Sequence, residues 1–415
     1  MFDTMDQQLF NLARTPAMKE LLAPPGGQAS KEVVAEYGGY ATAIFLIGWA
    51  TGGLAFGVLG DRIGRAKTML LTILIYSLFT GFSAFAQNFF QFALFRFLTG
   101  LGVGGEFAVG VALLAEVMPD RARPFAIGWL QSLSAVGNIS AAVIAIFGTP
   151  WRVMFLIGTA PALLSLLVRR RLKEPEKWQA TKLEAGLEKQ LGSYRELFGD
   201  PRWRHHALVG LALAFVGVVG LWGIGFFSFD LLRLVFEPEL KKQGLGDEAI
   251  ASKLSFWVGV TSIMQNLGGF LGIQAYMRLT ERTNRRFAFF CSFLAALIST
   301  AFTYAFLGKV FGFYDVFWMI PIMGFCQLAL FGGYAIYFPE LFPTRLRSTG
   351  TSFCYNVGRF IAALGPFTLG LLTSRVFNEY EDPMRWAGVS MCVVFVLGFA
   401  ALPFAPETKG QPLPE

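Results

Sequence analysis

Charge is scarce in this chain: only 15% of its 415 residues are Asp, Glu, Lys or Arg, against about 25% in ordinary soluble proteins. Too few charges remain to cover a water-facing surface, which excludes a soluble globular domain and a charged disordered chain. Histidine and cysteine are rare too, with two and four residues. Cys291, Cys326, Cys354 and Cys392 all fall inside apolar runs, so neither a disulfide framework nor a cysteine metal site is indicated. His205-His206 lacks further ligands for a metal. No nucleophile–base pair or cofactor motif is found, which speaks against an enzyme and implies no cofactor and no metal. No cleavable signal pattern precedes the first apolar run.

What fills the chain is apolar: 54% hydrophobic residues, 44 Phe and a mean hydropathy of +0.52. These residues come in blocks. Tyr37–Gly60 and Thr68–Phe95 contain no charge at all, and a bilayer core needs about 20 apolar residues in a helix. The runs predict eleven full spans, at 37–60, 68–86, 89–115, 124–148, 151–168, 206–229, 254–277, 287–308, 316–338, 349–373 and 386–405. Backbone groups in lipid must be satisfied within the segment, so the spans are helices.

The net charge of +7 reflects topology and not nucleic acid. Of the 35 Lys and Arg, 22 lie in one set of alternating loops, 11 in the other, and two, Arg96 and Arg359, inside spans. The positive-inside rule makes the richer set cytoplasmic, together with the C-terminus. The polar stretch 169–205 then reads as a cytoplasmic linker between bundles at 1–168 and 206–408, with a short tail at 409–415.

The halves repeat each other. Glu116-Val-Met-Pro119-Asp-Arg121-Ala-Arg123 returns as Glu340-Leu-Phe-Pro343-Thr-Arg345-Leu-Arg347, displaced by 224 residues. Asp61-Arg62-Ile-Gly64-Arg65 returns as Glu281-Arg282-Thr-Asn284-Arg285, displaced by 220. Asn284 in place of Gly64 suggests a left-handed turn at both points. Pro175-Glu176 returns as Pro406-Glu407. Three matches in one order predict a duplicated bundle with parallel halves, the plan of a secondary transporter with a shared central site. Phe2-Asp3 aligns with Phe229-Asp230, so residues 1–12 are expected to be the last turns of a first helix that is otherwise missing.

Gly57-Val-Leu-Gly60-Asp61-Arg62-Ile-Gly64-Arg65-Ala-Lys67 resembles the signature loop of the major facilitator superfamily. Gly57 would allow close helix approach, Gly64 would turn the chain, and Asp61 would pair with an Arg or cap a helix end. The resemblance implies an all-α membrane protein of two pseudo-symmetric six-helix bundles, here with eleven full spans. It also implies alternating access, with a gating set of Gly57, Asp61, Arg62, Gly64, Arg65, Glu116, Arg121, Arg123, Glu340, Arg345 and Arg347. Gly100-Leu-Gly102-Val-Gly104-Gly105-Glu106 is similar to the branch that carries organic acids and related metabolites with protons. Pro339–Arg345 and Pro406–Gly410 resemble sugar-porter loop signatures, but the span 206–229 contains no Gln or Asn, which weakens a sugar reading.

Charges at membrane depth normally face a cavity or one another. Asp3 and Asp6 share a helix face and, with Glu106, are the candidates for carrying a proton. Arg96 and Arg359 are candidates for an anionic substrate, with Asn356, Gln131 and Gln327 as further polar contacts. Asn138, Gln265 and Asn266 can join helices by hydrogen bonds. The expected partners are a small-molecule substrate, protons and the bilayer of the cell or inner membrane, with the chain acting as a monomer. A sugar:proton symporter, a channel and a non-transporting sensor on the same scaffold are the competing readings.

Overall fold

The computed structural model describes all residues except 25, 161–172, 185–190, 225–227, 245 and 415. Among the described residues every regular element is a helix. In chain order these are α1 (Phe2–Leu21), α2 (Lys31–Ile63), α3 (Arg65–Ser83), α4 (Phe89–Val117), α5 (Arg123–Ile146), α6 (Trp151–Ile157), α7 (Glu176–Glu184), α8 (Tyr194–Gly199) and α9 (Pro201–Val219). They continue with α10 (Ser228–Lys242), α11 (Asp247–Arg282), α12 (Arg285–Phe306), α13 (Val316–Leu341), α14 (Arg347–Ala362), α15 (Gly365–Leu371), α16 (Pro383–Met391) and α17 (Val394–Ala401).

Seven helical stretches among the described residues are long and apolar enough to cross a bilayer: Glu36–Ile63, Arg65–Ser83, Phe89–Val117, Arg123–Ile146, Arg285–Phe306, Gly312–Leu341 and Pro383–Phe404. The remaining predicted spans differ for physical reasons. The run 254–277 lies inside a helix of 36 residues, where Gln265, Asn266 and Gln274 lower the hydropathy. The run 349–373 breaks after Ala362, where Pro366 enters the first turn of α15 and supplies no backbone donor. Much of 151–168 and part of 206–229 lie outside the described residues.

Residues 1–12, expected to be the last turns of a first helix, lie in a helix that runs on to Leu21 and buries Met5, Leu9, Phe10, Ala13, Ala17 and Met18. Charges at Arg14, Lys19 and Glu20 interrupt the apolar run. The helix continues because Arg14 donates to Thr42 Oγ1 at 2.8 Å and Glu20 accepts from Trp151 and Arg152 at 2.6 and 2.9 Å.

The repeat seen in sequence is repeated in the packing. In the first half α2 crosses α4 with almost no side chain between them: a Cβ on Gly48, Gly52 or Gly100 would overlap the carbonyls of Phe97, Leu101 and Phe45. In the second half α11 crosses α13 in the same way, with Gly268, Gly272 and Gly324 against the carbonyls of Pro321, Phe325 and Gln265. Each residue of the first set corresponds to one of the second at the displacement of 220 or 224 found between the loops. Glycine supplies this close approach because van der Waals contact and backbone proximity hold helices together in lipid.

One expectation fails at the loops. Gly64 does turn with φ at 118°, but Asn284 is extended at φ −144° and instead caps α12, accepting from the Phe287 N–H at 2.8 Å. The same end of the chain is reached by a different local device. Beside the Pro175-Glu176 match, Glu174 accepts from the N–H groups of Ala66 and Lys67, as Glu407 does from those of Arg285 and Arg286.

Across the halves, α2 packs on α14 and α5 on α11. Three polar contacts run along the second seam: Gln8 Nε2 to Ser262 Oγ at 2.9 Å, Asn138 Nδ2 to Asn266 Oδ1 at 2.8 Å, and Gln274 Nε2 to Ser132 Oγ at 3.0 Å.

Candidate functional site

Two groups of charged residues are assembled by this fold, one on the face that carries the central linker and one farther from it inside the bundle.

On the linker face, α2 ends where α14 begins. A Cβ at Gly57 would lie 2.6 Å from that of Ser352, so only glycine lets the two helices meet there. This approach brings the Asp61 carboxylate onto the first N–H groups of α14. Asp61 accepts from Ser348 N at 3.1 Å, Thr349 N at 2.8 Å and Thr349 Oγ1 at 2.6 Å. An anion at a helix N-terminus satisfies orphan donors and the helix dipole together. Arg65 holds Asp61 from the other side at 3.0 Å and also reaches Glu116 at 2.9 Å and the Thr344 carbonyl at 2.7 Å. Arg347 donates to the same Glu116 oxygen at 3.0 Å. Glu116 therefore bridges a cation from each half, and Asp61, Arg65 and Arg347 are fully buried.

The second half repeats the internal part of this network: Arg285 pairs with Glu281 at 3.0 Å and bidentately with Glu340 at 2.9 and 3.1 Å. Arg123 and Arg347 both turn back onto the carbonyl eight residues earlier, Ala115 and Pro339. Unlike Asp61, Glu281 is 29% exposed. Among the described residues the crossing carboxylate–helix contact is made by Asp61 and not by Glu281. Arg121 is exposed, and Arg62 donates to the Leu191 carbonyl at 3.2 Å.

The linker reinforces the closed face. Trp178 Nε1 donates to the Asp61 carbonyl at 2.7 Å, Tyr194 Oη to the Leu54 carbonyl at 3.1 Å, and Gly192 N to the Arg345 carbonyl at 3.0 Å. Arg345 pairs with Glu196 at 2.6 Å. Sequence reading missed Trp178 and Tyr194; two aromatics in an otherwise charged linker are the available signal.

Near the ends of α3 and α4 opposite the linker face, Asp6 of α1 lies 3.8 Å from Arg96 of α4 and accepts from Thr80 of α3 at 2.6 Å. Arg96 also donates to Ser83 at 2.7 Å and Thr99 at 3.1 Å, and its guanidinium lies over the rings of Phe10, Phe92 and Phe155 at 4.6 to 5.9 Å. Both charges are fully buried. Asp3 accepts from the terminal amine of Met1 at 2.9 Å. Glu106 is half-buried on α4, faces Asp3, the Met1 amine and Tyr76, and its Oε2 is shielded from solvent without a hydrogen-bond partner.

Across the seam, Arg359 of α14 is 1% exposed. Its Nη1 donates to the Tyr355 carbonyl and to Asn356 Oδ1, the latter at 3.1 Å. The guanidinium lies 4.3 Å from the centre of the Trp49 ring and 4.2 Å from that of Tyr355. Tyr355 in turn stacks on Phe107 of the other half at 4.0 Å and 21°. Among the described residues Arg359 makes no ion pair, and its Nε has no acceptor. Asn356 sits against Gly53 and donates to Ser352. Gln327 donates to Thr300 at 2.8 Å, away from this cluster, and Gln131 is half-buried on α5. The side chain of Asp230 lies outside the described residues. Sequence reading did not single out Trp49, Tyr355 or Phe107, since aromatics are common throughout the chain.

Residues 1–271 match the family described as "Major Facilitator Superfamily". A "Putative metabolite transport protein" of Haemophilus influenzae is 30% identical over 91% of this chain and 88% of its own length. A "Probable 4-methylmuconolactone transporter" of Cupriavidus pinatubonensis is 31% identical over 98% of this chain and 88% of its own. Among solved structures, the "proton:xylose symporter XylE bound to 6-bromo-6-deoxy-D-glucose" superposes with a TM-score of 0.72 at 16% identity, over 99% of this chain and 96% of that one.

Proposed function

The chain belongs to the Major Facilitator Superfamily and is a multi-pass membrane transporter of small molecules, and we propose that it carries an organic acid together with a proton by alternating access. The observation that carries this reading is the mid-depth charge layer: a carboxylate, Glu106, with an open oxygen in one half, and a guanidinium, Arg359, with an open Nε in the other. Groups of this kind are costly in a membrane interior and are kept where a substrate or ion completes them. Glu106 is the proton carrier, Asp3 its neighbour in the same layer, and Arg359 with Asn356 the anion contact. The Asp6–Arg96 pair is a fixed internal dipole whose charge is already balanced. Gln131 lines the substrate path in α5, and Gln327 supports α13.

The linker face is the cytoplasmic one, where basic loops concentrate. Its latch of Asp61, Arg65, Glu116 and Arg347 holds the two halves together in the state described here, and rocking about the α5–α11 seam opens it. The relative named for 4-methylmuconolactone supports a small carboxylated metabolite as cargo. The chain works as a single copy in the cell membrane. Uptake of labelled benzoate, as a simple carboxylate probe, into proteoliposomes tests the reading. An inward-directed proton gradient should accelerate uptake, and a protonophore should abolish the acceleration. Uptake indifferent to the gradient would sink proton coupling.

A further inference from the structure

We propose that the second half holds one acyl chain of a phospholipid, from the leaflet opposite the linker face, in a groove between α12 and α13. This rests on the membrane placement of the two helices alone and is independent of the cargo and of proton coupling.

The groove begins with side-chain size. Ala295, Ser299 and Thr303 are spaced four residues apart, so they stand one above another on a single face of α12. Opposite them α13 presents Met319 and Cys326, and a cavity of about 290 Å³ lies between the two helices. An apolar cavity of about 150 Å³ already takes up a benzene-sized guest. The rim is made by Ile298, Phe302, Trp318 and Ile322, which are 59, 40, 36 and 49% exposed. Both helices are apolar and long enough to span a bilayer, so a rim exposed there faces hydrocarbon and not water.

Depth and length fit one leaflet. From Arg285 on the linker face α12 runs to Phe306, and α13 returns from Val316 to Leu341. The stretches 295–303 and 318–326 therefore lie in the parts of both helices distant from the linker face. Eight residues of helix rise about 12 Å, against about 15 Å for half of a hydrocarbon core ~30 Å thick. The rings of Phe302 and Trp318 flank the outer end, 6.0 Å apart, and an indole favours the membrane interface.

The lining selects an apolar guest. Its two hydroxyls are spent on the helix that bears them: Ser299 donates to the Ala296 carbonyl at 3.4 Å and Thr303 to the Ser299 carbonyl at 2.8 Å. A resident water needs two to four polar partners. Thr300 and Gln327, the next residue on each helix, are buried and joined at 2.8 Å. That bond closes the seam on its inner side, so a guest enters from the bilayer. Left empty, the groove forfeits dispersion contacts along every wall, and a hydrocarbon chain restores them.

The first half shows the alternative. The displacements of 220 and 224 bring Ile75 and Phe79 to the places of Ala295 and Ser299, and Phe95 to that of Met319. The ring of Phe82, the counterpart of Phe302, lies 5.8 Å from that of Phe79 and 5.9 Å from that of Phe95. One half thus fills with its own rings the position that the other leaves to a guest.

The test is photolabelling of the purified full chain in phosphatidylcholine vesicles that contain a trace of phosphatidylcholine bearing a diazirine at mid-chain. Labelled peptides are mapped by mass spectrometry, and the first half serves as the reference within the same molecule. Label on 295–303 and 318–326 should exceed that on 75–83 and 94–102 several-fold. Ala295→Ile with Ser299→Phe should bring it down to the reference level while the label on the first half stays unchanged. Phe79→Ser should raise the label on the first half, and it decides the matter alone if the double variant does not fold. Equal labelling of the two halves in the native chain overturns the proposal, since ordinary boundary lipid would give it. A label ratio that the variants do not move overturns it as well. Label on the second half below the reference, with a dimer in light scattering, would mean that a second copy covers this face, and overturns it too.

Discussion

Asp61 and Thr349 stand 288 residues apart in the sequence, yet one carboxylate oxygen of Asp61 accepts both the backbone N–H and the hydroxyl of Thr349, at 2.8 and 2.6 Å. This contact joins the end of one half to the start of a helix in the other. Hydrogen bonds to a charged acceptor contribute about 1.5–3 kcal/mol. Asp61→Asn keeps the shape and loses the charge, so the closed linker face should become less populated by roughly tenfold. In a background with the four native cysteines replaced by alanine, Ser352→Cys should react several times faster with an impermeant maleimide applied to that face. Glu281→Gln, at the equivalent position of the other half, should leave the labelling rate unchanged, because among the described residues Glu281 pairs with Arg285 of its own half.

The Asp6–Arg96 pair makes a prediction of a different sign pattern. Removing one member leaves the other buried and unpaired, at a cost of about 3–5 kcal/mol, whereas replacing both by neutral residues costs much less. Asp6→Ala and Arg96→Ala should each lower thermal stability in detergent strongly, and Asp6→Asn with Arg96→Gln should recover much of the loss. Additive losses in the double variant would show that the two charges are not a pair.

Gly104 tests the close crossing of α2 and α4. A Cβ there would overlap the Trp49 carbonyl and approach Gly53 N at 2.6 Å. Gly104→Val should destabilise the fold by roughly 2 kcal/mol or more through overpacking. Gly39, beside which a Cβ meets nothing, should accept alanine without loss. Equal melting temperatures for Gly104→Val and Gly39→Ala would contradict the packing described.

Much of this architecture is legible in the sequence because it follows from composition and repetition. Uncharged runs predict buried helices, and the paired loops predict that Arg65 and Arg285 play matching parts, which they do with Glu116 and Glu340. What the sequence leaves open are partners fixed only by tertiary approach. Asp61 could pair or cap, and the helix it caps lies in the other half. Asp6 and Arg96 read as separate candidates, while in the fold they neutralise each other. The run of α1 beyond residue 12 is not legible, because Arg14, Lys19 and Glu20 dilute the hydropathy; Arg14 is half-buried and donates to Thr42, while Lys19 and Glu20 are exposed. Asn284 shows the same limit in the backbone, since the residue suited to a left-handed turn is used here as a cap. Arg359 is legible as an intramembrane charge, but its two ring neighbours come from distant positions or from a pattern shared with many other aromatics.

Direct observation of proton movement on substrate entry decides the account. Addition of benzoate to lightly buffered proteoliposomes should make the medium alkaline, with one proton entering per benzoate, and Glu106→Gln should remove that response while Arg359→Gln removes benzoate entry itself. Benzoate entering at the native rate with no change in external pH, or an unaltered proton signal in Glu106→Gln, would contradict it.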